Sequence, residues 1–210
     1  MNHRILIFLS FIFIFSSCAS DLETIEEKEN GVIIESYTQR KSDGEKHGNY
    51  TSYYPTGEKN EVSQYENGKI NGTQIFYHKN GKIAESASLV NGEYAGGYQK
   101  FYESGELEQE GNYVEGAMNG EWKYYYANGK MKEIVPFKNN EEFGPFKEYH
   151  DNGMLKTEGT YKGADEVSGA ALEDGELKKY DEQGVHYQTM NCDLGLCLTT
   201  WKKEGVVLEE

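Results

Sequence analysis

From His47 onward the chain repeats itself every 24 residues. Gly48, Gly72, Gly96, Gly120 and Gly144 mark one phase of the period, and Gly57, Gly81, Gly105, Gly129 and Gly153 mark a second. An aromatic ring holds a third phase at Tyr53, Tyr77, Phe101, Tyr125 and Tyr149. A fourth runs through Tyr65, Leu89, Tyr113, Phe137 and Tyr161, and a sixth copy, Gly175-Tyr180-Gly184, follows after seven extra residues. A unit this short cannot bury an apolar face on its own. It must bury that face against the next unit, which excludes a conventional globular core.

Composition taken alone points elsewhere. Leu, Ile, Val and Phe supply only 41 of 210 residues, and the net charge is −15. That pairing is the signature of a chain that stays unfolded. The period resolves the conflict, because the scarce apolar residues recur where each unit can bury them against its neighbour. The 17 tyrosines and two tryptophans supply much of the missing apolar area. The acidity excludes nucleic acid and a broad anionic lipid surface as partners, since phosphate binding needs clustered Lys and Arg.

Each unit reads as one β-hairpin. Lys79-Asn80-Gly81, Ala127-Asn128-Gly129 and Asp151-Asn152-Gly153 separate runs of β-forming residues. Asn-Gly in that setting predicts a two-residue type I′ turn. The turn sets Tyr98 opposite Gly111, Trp122 opposite Val135 and Phe146 opposite Gly159, a large ring against a small residue each time. Carried toward the turn, the same register places Tyr102 with Leu107, Tyr126 with Met131 and His150 with Leu155 on the same buried face. The Tyr53–Tyr149 series falls on the opposite face; either a bulge brings it inward or it forms a separate tyrosine row. The expected fold is all-β, an elongated single-sheet array of about six such hairpins with short capping segments.

The N-terminus carries an address. Arg4 precedes an apolar run from Ile5 to Phe15, broken only by Ser10. As a helix it would span roughly 16 Å, about half a bilayer core, so it reads as a secretory signal rather than a membrane span. Phe15-Ser16-Ser17-Cys18 resembles the bacterial lipobox, with Phe15 standing where Leu is usual. The resemblance implies cleavage before Cys18 and acyl chains on Cys18, giving a durable membrane anchor. With Ala19 next, it further implies the outer membrane of a Gram-negative envelope, on the periplasmic face or the cell surface. Asp21, Glu23, Glu26, Glu27 and Glu29 make an acidic tether. The chain thus divides into a signal over residues 1–17, a tether over 18–30, repeats over 31–190 and a C-terminal cap over 191–210.

The run Tyr113-Val114-Glu115-Gly116, continuing through Gly120-Glu121-Trp122-Lys123-Tyr124-Tyr125 to Asn128-Gly129-Lys130, resembles the MORN-repeat variant of bacterial proteins labelled YwqK-like antitoxins. The resemblance covers residues 31–184. It implies a single-sheet array that binds other molecules, and it is nearly silent about chemistry.

Candidate chemistry is sparse. Cys192 and Cys197 flank a glycine-containing loop and, outside the cytoplasm, predict a small disulfide. His78 and His150 share a phase with Tyr54, Tyr102 and Tyr126, which makes them packing substitutes for tyrosine. Asp151-Asn152-Gly153 lacks the alternating acids of a calcium loop. Nucleophile-elbow, zinc-protease and phosphate-loop motifs do not occur. Glu61, Glu85 and Glu133 recur between apolar neighbours, either as polar relief for a thin sheet or as an acidic surface for a basic partner. The expectation is a non-catalytic scaffold without cofactor or metal, anchored through Cys18 and binding a protein of the cell envelope. Two other readings are a carbohydrate-binding surface using the row Tyr53, Tyr77, Phe101, Tyr125 and Tyr149, and an antitoxin or immunity-like binder. Edge-to-edge self-association of two arrays is a further expectation.

Overall fold

The computed structural model describes residues 21–165 and 167–205. The signal segment and Cys18 lie outside the described residues. In chain order the strands are β1 (Leu22–Glu29), β2 (Val32–Arg40), β3 (Lys46–Tyr53), β4 (Lys59–Glu66), β5 (Lys69–Ile70), β6 (Gly72–Tyr77), β7 (Ile83–Val90), β8 (Glu93–Phe101) and β9 (Leu107–Val114). They continue as β10 (Ala117–Tyr125), β11 (Met131–Lys138), β12 (Glu141–Tyr149), β13 (Leu155–Ala164), β14 (Ala171–Glu173), β15 (Gly175–Tyr180), β16 (His186–Asp193) and β17 (Leu196–Lys202). All 17 join one antiparallel sheet that follows chain order, and no helix occurs among the described residues. The all-β single-sheet array is therefore observed. β1 and β17 are its two edges.

Two kinds of turn alternate along it. Asn67-Gly68 and Asn91-Gly92, which link one hairpin to the next, have positive φ at both residues (51° and 75°, 53° and 85°). These are the turns of the primed type. Within each hairpin the turn is different. The His78 N–H donates to the Lys82 carbonyl at 2.8 Å and the Gly81 N–H to the His78 carbonyl at 2.9 Å. Gly81 has positive φ while Asn80 does not. This is a three-residue loop closed by a left-handed glycine, so the two-residue turn expected at Asn80-Gly81 is corrected. It shifts the register by one, and a β-bulge just beyond it shifts the register back, with Tyr77 opposite Ile83 but Phe76 opposite Glu85.

The consequence is exact pairing far from the turn and a change close to it. Tyr98 faces Gly111, Trp122 faces Val135 and Phe146 faces Gly159, as expected. Near the turn, Leu107 faces Phe101 rather than Tyr102, Met131 faces Tyr125 and Leu155 faces Tyr149. The bulged residue sits in the second strand of each hairpin, so it does not turn the first-strand rings inward. Tyr125 donates its hydroxyl to Glu110 at 2.8 Å, and Glu110 lies opposite Lys123, not opposite Trp122. The Tyr53–Tyr149 series is thus a separate row on the reverse face.

On the face carrying Trp122, the packed face, bulky first-strand residues alternate with small second-strand residues. Tyr50, Trp122, Phe146 and Leu177 are buried, and so are Ser63, Ala87 and Val135 between them. Trp122 is 0% exposed although, among the described residues, no second layer covers it. Its indole lies on Gly111, where an added Cβ would meet Trp122 Cδ2 at 2.1 Å. The rings of Tyr98, Tyr113 and Phe137 flank it at centroid distances of 5.6, 5.1 and 6.2 Å. Gly159 plays the same part beneath Phe146 and Leu177.

A second ladder joins the turns of successive hairpins. The hydroxyls of Tyr54, Tyr102 and Tyr126 each donate at 2.7 Å to a carbonyl 23 residues on, at Tyr77, Tyr125 and Tyr149. His78 Nε2 reaches the Phe101 carbonyl and His150 Nε2 the Tyr180 carbonyl, both at 2.9 Å. The histidines therefore replace tyrosine as donors as well as in packing. Asn80, Asn128 and Asn152 also donate to the next turn, at the Glu103, Asp151 and Glu182 carbonyls.

The ends differ from the sequence reading. The acidic segment expected as a tether forms β1 over Leu22–Glu29, with Ile25 opposite Tyr37 and a left-handed Asn30-Gly31 turn to β2. The charge of Glu23, Glu26, Glu27 and Glu29 suits an edge strand, where it discourages pairing with another sheet. At the other end β16 still carries the repeat, and Cys192 keeps the phase of Tyr161 after the seven-residue insertion. The closing element is β17, joined to β16 by the Cys192–Cys197 disulfide, whose Cα atoms are 4.0 Å apart.

Two glycines test the packing. Gly111→Ala is expected to cost about 3 kcal/mol, since a methyl group there must displace Trp122. Gly97 has ordinary φ and open space where its Cβ would be, so Gly97→Ala is expected to change stability by less than about 0.5 kcal/mol. Urea unfolding of both variants checks the pair; equal effects would contradict the packing described.

Candidate functional site

The packed face changes character along the array. At its N-terminal end Lys46 Nζ lies over the rings of Tyr37, Tyr50 and Tyr65, at 4.5, 4.3 and 5.6 Å from their centroids. The same Nζ is 3.5 Å from Glu35. The antiparallel pairing of β2 with β3 and of β3 with β4 brings these residues together on one face. Glu61, further along, accepts hydrogen bonds from Ser63 Oγ at 3.0 Å and Gln74 Nε2 at 2.7 Å. In the middle, Tyr94 stacks on Tyr113 at 4.8 Å.

The C-terminal half gathers carboxylates. Glu133 faces Glu148 directly across β11 and β12, Glu142 faces Phe137, and Glu173 faces Tyr161. Like charges placed directly opposite each other destabilise a sheet. Tyr161 stacks on Phe146 with centroids 4.0 Å apart. A cavity of about 280 Å³ opens here, lined by Glu148, Tyr161 and Glu173, with Lys156 and Lys179 at its sides. Lys156 reaches Glu148 at 3.6 Å but remains half exposed. Burial pushes the Glu133 carboxyl up to about 7, and the nearby Glu148 and Glu142 charges add to the shift. Burial also raises Glu142, with Glu173 adding to it. Tyr124 is pushed up to about 12 by burial and then by Glu133 and Glu142.

The other sequence candidates lie apart from this cluster. Tyr53, Tyr77, Phe101, Tyr125 and Tyr149 run along the reverse face and are partly buried. That face holds a shallow polar groove of about 410 Å³ lined by Thr73, Ser86, Ser88, Gln99, Glu110 and Lys123. Gly57, Gly81, Gly105, Gly129 and Gly153 sit in the turns with positive φ. Cys192 and Cys197 close the far end. Among the described residues, no group of three or more His, Cys, Asp or Glu side chains is arranged to hold a metal ion. Sequence reading reached Glu133 but missed Lys46, Glu142, Glu148 and Glu173. One signal was present: Lys46 and Glu142 are four periods apart, at the same phase with opposite charge.

A family model described as the MORN repeat variant matches residues 46–67, 70–91, 96–115, 118–139 and 144–162, together half of the chain. The chain belongs to the MORN repeat variant family. The match over residues 70–91 starts in β5 and ends in the Asn91-Gly92 turn, so the MORN unit is a hairpin with its outgoing turn. MORN repeats commonly serve in binding proteins or membranes and are generally non-catalytic. A search of curated proteins gives no match. Among solved structures, the chain is similar to one in a crystal structure of TcdB2-TccC3, at 11% identity and a TM-score of 0.23. That likeness covers 80% of this chain and 12% of that one, and at such a score it carries no argument about the MORN array.

The raised carboxyl sets a pH dependence. Glu133 binds its proton more tightly folded than unfolded, so its ionisation costs stability above about pH 7. That cost fades as pH falls through 7 toward the unfolded value of 4.5, and below 4.5 the group is protonated in both states. Glu142, Glu148, Lys132 and Lys156 act on the group throughout. Glu133→Gln is expected to raise Tm at pH 8 and to leave it almost unchanged at pH 4. Thermal unfolding at both values checks this, and an equal gain at both would contradict it.

Proposed function

We propose that this protein is a lipid-anchored, extracytoplasmic, non-catalytic scaffold whose packed face binds a basic protein of the cell envelope. One observation carries the reading: aromatic rings and carboxylates share one face of the sheet, and two of the carboxylates, Glu148 and Glu173, line an open cavity beside Tyr161. Aromatic rings at a partly apolar surface provide contact area at small entropic cost, and carboxylates select a partner of opposite charge. The sequence around Cys18 supports the anchor, and the acidity supports the choice of a basic partner. The glycan reading draws on the reverse-face row, where Tyr125 and its counterpart Tyr180 commit their hydroxyls to Glu110 and Glu158. Toxin neutralisation rests on the resemblance alone.

Metabolic labelling with a clickable fatty acid, followed by envelope fractionation, tests the anchor. Wild type is expected in the membrane fraction with label, and Cys18→Ala unlabelled. Unlabelled, soluble wild type would overturn that half of the reading. Photo-crosslinking from Lys156 beside the cavity of the packed face and from Thr73 on the reverse face then tests the binding half. Basic envelope proteins are expected from the first position, and crosslinks from the second position alone would overturn it.

A further inference from the structure

We infer that the C-terminal half of the packed face is a lysine-side-chain site, in which a partner's ammonium group sits on Tyr161 among Glu142, Glu148 and Glu173. The inference rests on the proposed binding of a basic protein by this face and specifies the group that is recognised.

The chain shows what such a site holds. Lys46 lies over Tyr37, Tyr50 and Tyr65 with Glu35 beside it. An ammonium group over an aromatic face is attracted by the ring quadrupole, and more strongly when partly desolvated. Four periods on, Tyr50 becomes Phe146, Tyr65 becomes Tyr161 and Lys46 becomes Glu142. The ring pair is kept but closes up: Tyr50 and Tyr65 are tilted with centroids 5.5 Å apart, and Phe146 and Tyr161 are stacked at 4.0 Å. The carboxylate is kept as well, because Glu35 lies across from Ser52 as Glu133 lies across from Glu148, on strands in corresponding places. The cation is reversed and the third ring is lost, since Val135 follows Glu133 by two residues where Tyr37 follows Glu35.

The intermediate copies do not share this arrangement. The Lys46 phase carries Ile70, Tyr94 and Met118, and Tyr94 lies stacked on Tyr113, so the chain itself covers that ring. At the C-terminal copy Phe146 covers one face of Tyr161, and the ring borders an open cavity with Glu148 and Glu173. Among the described residues, no Lys or Arg is placed over the Tyr161 ring. Lys156 approaches Glu148 from a half-exposed position, and Lys179 borders the cavity; neither removes the direct opposition of Glu133 and Glu148. A metal ion is disfavoured as the occupant, since the donors are not grouped to hold one. An incoming ammonium would meet both the ring and the carboxylates, as Lys46 does.

The test measures binding of a fluorescent hexalysine peptide to the detergent-solubilised full chain by anisotropy at pH 8. A fully acetylated peptide is the control for charge. Tyr161→Leu leaves the net charge unchanged and is expected to weaken binding about fivefold. Glu142→Lys restores the Lys46 pattern; it is expected to abolish binding and to raise Tm. Glu103→Lys, an exposed turn residue with the same charge change, is expected to weaken binding less than about twofold. Unfolding curves for each variant show that the fold is retained, and Glu173→Gln serves should Tyr161→Leu fail to fold. If Glu142→Lys and Tyr161→Leu or its substitute act no more strongly than Glu103→Lys, the overall acidity holds the peptide. That result overturns the site and leaves the basic-partner reading standing. Equal binding of the acetylated peptide would overturn both.

Discussion

A sheet with no layer packed on it must find its buried contacts sideways, and that constraint shapes every repeat. Bulky side chains on the first strand of each hairpin lie over small ones on neighbouring strands, so rings pack flat rather than into a second layer. Trp122 over Gly111, flanked by Tyr98, Tyr113 and Phe137, is the fullest expression of this arrangement. Aromatic pairs of this kind add about 0.5–1.5 kcal/mol each beyond the area they bury. Because each ring touches the next hairpin, no repeat is stable apart from its neighbours. The hydroxyl and imidazole bonds from Tyr54, His78, Tyr102, Tyr126 and His150 extend the coupling to the turns. Each bond of that type contributes about 1 kcal/mol.

The same geometry leaves the packed face partly open, which is how structure passes into function. In a two-layer fold, Glu133 and Glu148 would be buried against a second sheet and could not both stay charged. Here Glu148 lines an open cavity and Glu133 lies opposite it, close enough to raise the Glu133 carboxyl, with both only partly buried. A scaffold of this kind can place opposed carboxylates beside aromatic rings at moderate cost. In the proposed site that cost is recovered when a cation arrives.

Much of this was legible in the amino-acid order, and the exceptions have physical causes. The period and the large-over-small register at Trp122–Val135 and Phe146–Gly159 follow from glycine and ring spacing alone. The turns were harder, because Asn-Gly occurs at both ends of the hairpin. At Asn91 the asparagine is present for its positive φ, whereas Asn80 has ordinary φ and serves by bonding to Glu103. That difference is conformational and leaves no mark in residue type. β1 was obscured by its four acids, although Asn30-Gly31 and the pairing of Ile25 with Tyr37 supply a hairpin. The carboxylate cluster was hidden for another reason: Glu133, Glu142, Glu148 and Glu173 come together only through cross-strand pairing over three strands and an insertion.

If lateral packing through the Trp122 rung holds the array together, amide protection should reveal it. Native-state hydrogen exchange measures the opening free energy of each strand separately. The account predicts the greatest protection in β9–β12, a decline toward β1 and β17, and loss of protection on both sides of the site in Trp122→Ala. Protection that stays unchanged outside β10 in that variant, with every hairpin opening on its own, would contradict it.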